Sequence, residues 1–184
     1  MNVRTVLVFT AILCGIAWTS ADDDPSAIPA TEETYPTNSS EARSRARLLH
    51  ELVHGTLQIM HRDFFDEDNA HAIPSASLED VFHEMADRFQ VKMKWLIVNT
   101  DVVNVDHEAK TKFEEDAVKA LAAGKPFVEQ TTEGLYRFVG PIRLGSQCLK
   151  CHVKRRTDNR DRTAGLVITM PLNDRSSISA SSVD

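Results

Sequence analysis

Apolar positions in EARSRARLLHELVHGTLQIMHRDFF (residues 41–65) recur at three- and four-residue steps: Leu49, Val53, Leu57, Met60 and Phe64. That period predicts a long amphipathic helix with one apolar stripe. Asn38, three residues before Glu41, predicts a capping box at its start. His50, His54 and His61 fall on a second stripe, which borders the first at Leu57. A polar loop with Pro74 follows, and Ser77 is placed to cap a short helix, LEDVFHEMADRFQ, with Asp80 in its first turn. VKMKWLIVN is β-branched and aromatic and predicts a strand; DVVNVD predicts a second, short one. KTKFEEDAVKALAAG returns to the helical period, with Phe113, Ala117, Ala120 and Leu121 inward and Gly124 as the stop. KPFVEQTTEGLYRFVGPIRLG predicts two strands joined near Glu133 and Gly134, and AGLVITMPL predicts the last strand. The order is helix, helix, strand, strand, helix, strand, strand, a cysteine-containing segment, strand. It predicts an α+β fold on an antiparallel sheet.

The ends of the chain lack this periodicity. Arg4 precedes an uncharged apolar run, Val6 to Trp18, then the small residues Thr19-Ser20-Ala21 and the acidic Asp22-Asp23-Asp24. This is the pattern of a secretory signal peptide over residues 1–21. The run is short for a membrane span, so an uncleaved anchor is the weaker reading. Cys14 raises a lipoprotein reading, which the bulky Leu13 before it disfavours. Residues 22–40, rich in Pro, Ser, Thr and acid, predict a flexible linker. Residues 173–184, with five serines between Ser176 and Ser182, predict a disordered tail. The folded domain is expected over 41–172, in a periplasmic or secreted protein with no stable membrane span after cleavage. The 184 residues are 42% hydrophobic and 26% charged, ordinary for one globular domain, and the net charge of -6 argues against a nucleic-acid partner.

The mature chain keeps two cysteines, in SQCLKCHVKRR: Cys148, Cys151 and, next to the second, His152. CxxCH is the attachment signature of c-type haem. Two thiols at this spacing add across the two porphyrin vinyl groups, and the neighbouring imidazole becomes an axial iron ligand. Export agrees with this chemistry. Zinc would need two more ligands, and no second CxxC exists. A thioredoxin-type pair would sit at the start of a helix after a strand, whereas the charged VKRRTDNRDR follows here. A disulfide would close a very short loop and constrain the unfolded chain little. The basic run Lys150, Lys154, Arg155, Arg156, Arg160 and Arg162 is either a solvated loop, interspersed with Asp158 and Asp161, or a source of partners for haem propionates.

FEEDAVKALAAGKP, EGLYRFVGPIRLGSQCLKCH and GLVITMPL together resemble the periplasmic single c-type haem domains with a PAS-like fold, domain-of-unknown-function family 3365. The resemblance covers roughly 45–172 and is strongest from 113 onward. It implies one covalent haem c beside an antiparallel sheet, with a long N-terminal helix over the far side of the haem. Relatives carry a cysteine near the end of that helix and an Arg-Asn-Pro segment after it; this chain has LQIMHRDFF and neither feature. The sixth ligand therefore has to come from this chain's own residues. His71, in a polar loop, and His107, between acidic residues, are expected to face solvent; His83 is either core or surface. His61, at the helix end, is the first candidate for the distal ligand. His54, followed by Gly55 that would let a ring approach, and Met60 are alternatives, and an open site is the last. A second imidazole suits one-electron transfer to a redox partner protein; an open site suits sensing of a small diatomic ligand through a separate partner. An enzyme is not expected, and a homodimer is one assembly to test.

Overall fold

A computed structural model of the chain describes residues 35–66, 73–132 and 134–173. The expected signal peptide, most of the expected linker, His71 and the tail from 174 lie outside the described residues. Helix α1 spans Ser39–Asp63, α2 Pro74–Phe89, α3 Lys112–Ala122 and α4 Ser146–His152. The strands are β1 Lys92–Ile97, β2 Val128–Thr132, β3 Leu135–Leu144 and β4 Arg162–Pro171. All pairings are antiparallel, in the order β1-β4-β3-β2. The α+β class and the antiparallel sheet thus agree with the sequence pattern.

One sheet face carries Trp95, Tyr136, Phe138, Ile142, Leu166, Ile168 and Met170, and the main core forms between it and α1 and α2. The opposite face carries Leu96, Val139 and Val167 against Ala117 and Leu121 of α3. Both faces are apolar at the sheet centre because helices cover both, which explains why β3 and β4 read as near-continuous apolar runs. Tyr136 is fully buried in the main core, and its hydroxyl donates to Glu129, which also receives the Arg43 guanidinium of α1. Glu129 is held below the usual carboxylate range, first by Arg43, and the Tyr136 hydroxyl is pushed well up, first by burial.

Several local expectations need correction. The Asn38 side chain accepts from the Glu41 N–H, but the Glu41 carboxylate reaches back to the Thr37 N–H, so the reciprocal box is offset by one residue. The buried stripe of α1 is Ala42, Ala46, His50, Val53 and Leu57, while Phe64 is 78% exposed. Small Ala42 and Ala46 let the first turns approach the sheet, which rotates the stripe from the one read off the bulky residues. The second helix starts at Pro74, not at Ser77. Proline fits the first helical position, where its missing N–H is unpaired anyway. DVVNVD is no strand: Val102, Val103 and Val105 are exposed, and Val105–His107 forms a single 3-10 turn. In α3 the capping box is Thr111 with Glu114, and Glu114 is buried while Phe113 and Ala120 are only partly so. The fold also begins before residue 41. Pro36 is buried and its carbonyl accepts from the Asn173 N–H at 2.8 Å, closing the two ends of the domain on each other.

Candidate functional site

The CxxCH segment is positioned by the end of β3. Gly145 is extended, with φ -74° and ψ 179°, and its carbonyl accepts from the Cys148 N–H at 2.9 Å to start α4. Residues three apart on a helix lie on neighbouring positions of one side, so Cys148 and Cys151 are neighbours on α4, one toward the core and one toward its edge. Cys148 and Leu149 are buried in the main core, whereas Cys151 is exposed. Both thiols are free. The pair does start a short helix after a strand, the place a redox-active pair would take. Its chemistry differs: burial pushes the Cys148 thiol above its ordinary value, whereas an attacking thiol needs a depressed one. Among the described residues no cluster of three or more His, Cys, Asp or Glu is placed to hold a metal ion.

His152 closes α4. Its carbonyl accepts from the Asp101 N–H at 2.8 Å, and the Asp101 carboxylate accepts from the Lys154 N–H at 2.8 Å. The loop after β1 therefore straps the end of α4 from both sides of the histidine. Gln58 of α1 donates to the Arg143 carbonyl at 2.9 Å and pins α1 to the strand end that leads into α4. The half-buried His152 ring is depressed below the ordinary imidazole range, first by burial, then by the neighbouring His61, then by His107. His61, also half-buried, is depressed by burial and lies edge-on to Phe65 with ring centroids 4.9 Å apart. The last turn of α1 and the end of α4 thus bring His61 and His152 within electrostatic reach of each other. Both rings are biased to the neutral form, which has a lone pair to donate.

The other candidates fall elsewhere. His54 answers to burial, then His50 and Glu51, and His152 is not among its partners. It lies two helical turns before His61, about 10 Å along the axis. Gly55 beside it faces open space, so room for a ring there is left as the sequence suggested. Met60 packs against the core. His50 is a core residue, 5% exposed, with Nε2 3.2 Å from the Pro141 carbonyl and its ring over Gly140. His83 is on the surface. His107, expected in solvent, is instead partly buried, 2.8 Å from Glu79 and 3.2 Å from Asn104. Its proximity to His152 was not readable from sequence, because it depends on the irregular path between β1 and α3. In the basic run, Arg160 and Arg162 both bind Asp158 and hold its carboxyl far below the usual range, Arg160 first. Lys150, Lys154, Arg155 and Arg156 are exposed.

Two open clefts, of about 430 and 540 Å³, lie against α2 and the sheet; neither is lined by His61 or the CxxCH residues. Among the described residues no helix is long and apolar enough to cross a membrane.

Comparison with solved structures finds the crystal structure of the cyanobacterial heme-protein Tll0287, with a TM-score of 0.54 and 16% identity, over 73% of this chain and 97% of that one. At that identity the likeness is one of fold. No curated protein sequence matches. A model of the Tll0287-like family matches residues 35–169, from the start of the described fold nearly to the end of β4. With so much of its length matched, the chain belongs to the Tll0287-like family.

Proposed function

We propose that this protein is an exported c-type haem protein of PAS-like architecture that carries single electrons and catalyses no reaction of its own. Cys148 and Cys151 would hold one haem c through thioether bonds, and His152 and His61 would each offer a nitrogen to its iron. The observation that carries this reading is the CxxCH segment itself, with both thiols free and His152 half-buried at the end of α4, in a chain of the Tll0287-like family. The donor set fits the group: two free thiols at neighbouring positions of a short helix and two nitrogen bases. The heme protein among the solved structures shares the fold. Haem supplies an iron that changes charge by one electron; everything else is the work of the chain. Asp101 holds the His152 backbone, which fixes where that ring can point. Phe65 stands against His61 and excludes water from one side of it. Two fixed imidazoles demand little rearrangement between oxidation states, which favours fast exchange. Lys154, Arg155 and Arg156, exposed and next to the attachment segment, are placed to meet propionates or an acidic redox partner. Export follows from the leader pattern at residues 1–21.

The distal residue sits in the last turn of a 25-residue helix, so a change at the iron would be felt by α1. That is the basis of a second reading, a redox or gas sensor acting through a separate partner. Spectroscopy of the reduced protein separates the two. Electron transfer predicts a low-spin ferrous spectrum that carbon monoxide leaves unchanged. Rapid carbon monoxide binding by the parent protein would reject the His61 ligand and favour the sensor.

A further inference from the structure

The sheet face covered by α3 is only half covered. Beyond Phe113 at the start of α3, the lower ends of β1, β3 and β4 form the floor of the 430 Å³ cleft, which α2 borders through Ala86. Thr169 on β4 stands directly between Lys92 on β1 and Arg137 on β3, because both pair with it in register. Residues directly opposite on neighbouring strands share a face, so the three side chains form one row across three strands. Arg137 is partly buried on an interior strand, and it has no carboxylate partner among the described residues; nor has Lys92. This is unusual in a chain with net charge -6, whose other partly buried cations, Arg43, Lys94 and Arg162, are all paired. Among the described residues Glu114 is the one acidic group lining the cleft, and it is already engaged: it accepts from the backbone N–H of Lys110 and Thr111 and lies 3.3 Å from the Lys94 ammonium. Its charge is met from its own side, so the cleft keeps a positive row. Phe113, Leu135, Val167 and Pro171 add apolar wall, beside the neutral polar Gln90 and Thr111.

We propose that this cleft binds a small organic carboxylate. The Arg137 guanidinium offers a planar fork that matches a carboxylate with two parallel hydrogen bonds. Lys92 supplies a second charge across the row and the Thr169 hydroxyl a neutral donor between them. The apolar wall takes the body of the acid, which distinguishes this ligand from a bare inorganic anion. The volume falls in the range of small-ligand sites. The cleft is separate from the CxxCH site: Arg137 is seven residues up β3 from Leu144, about 24 Å of extended strand. The site stands whether or not the haem reading does.

Titration calorimetry of the purified full-length protein with benzoate tests this. Saturable one-to-one binding is expected, with benzamide, the neutral isostere, failing to bind and inorganic phosphate binding more weakly. Arg137→Gln should weaken benzoate binding roughly tenfold or more, the loss typical of a charge-assisted hydrogen-bonded pair. Lys92→Gln, on an exposed side chain whose removal does not threaten folding, should weaken it by a smaller factor. Equal binding by parent and both variants, no saturable binding by the parent, or phosphate binding tighter than benzoate would each overturn the assignment. The visible spectrum should not change on benzoate addition; a change with binding retained in Arg137→Gln would place the ligand at the iron instead.

Discussion

Replacing His61 with alanine should convert the iron from low spin to high spin and open it to carbon monoxide. The expectation rests on position. His61 ends α1, Gln58 ties that turn to the strand before α4, and the ring lies close enough to His152 to depress its proton affinity. Removing the imidazole leaves Phe65, which does not donate to a metal, and His107, whose Nε2 is engaged by Glu79 at 2.8 Å. Met60 does not replace it, because its side chain is packed into the core on another face of the helix. The reduction potential should rise, since a second imidazole lowers it relative to weaker ligation. His54→Ala is the internal control. Two turns away, with His50 and Glu51 as its electrostatic partners, it should leave spin state and carbon monoxide insensitivity as in the parent. If His54→Ala opens the iron and His61→Ala does not, the ligand sits two turns earlier on the helix and α1 covers the haem differently.

Gly140→Ala should be among the most damaging single-methyl additions. A Cβ built there would stand 2.5 Å from His50 Nε2 and 3.0 Å from Cε1. The obstacle is a rigid ring fixed by its position on α1 and its contact with the Pro141 carbonyl. It cannot rotate aside without giving up that partner, so α1 must lift from β3. Overpacking of this kind costs about 1–3 kcal/mol, or roughly 2–10 °C in melting temperature for a domain of this size. In a His50→Ala background the three atoms nearest the added methyl are gone, and the same change should cost much less. Thermal unfolding of the parent, both single variants and the double variant measures the coupling directly. Equal losses in the two backgrounds would mean that His50 does not seat on Gly140.

These two sites show what the sequence disclosed and what it withheld. CxxCH was legible because its chemistry is local: both thiols and the imidazole lie within five residues. The four strands and three longer helices were legible from period alone, since the sheet is covered on both faces and its strands had to be apolar. The role of His50 was not legible. It shares a flank with His54 and His61 in the helical projection, and only contact with β3 shows that it is a core residue. The valines at 102, 103 and 105 were misread as a strand because β propensity registers residues that suit a half-buried surface; here no neighbouring strand buries them. His107 escaped notice because its flanking acids signalled solvent, yet Glu79 of α2 draws it inward. The unpaired state of Arg137 was equally invisible, because the absence of a carboxylate nearby is a property of packing.

The proposed function stands or falls on one haem bonded to Cys148 and Cys151. Intact mass after acid–acetone extraction tests it most directly, on protein exported by a host with cytochrome c maturation. The expected result is a red polypeptide whose mass equals the processed chain plus one haem, with that increment lost in Cys148→Ser/Cys151→Ser. Colour passing into the organic layer, with the chain at its unmodified mass, would contradict it.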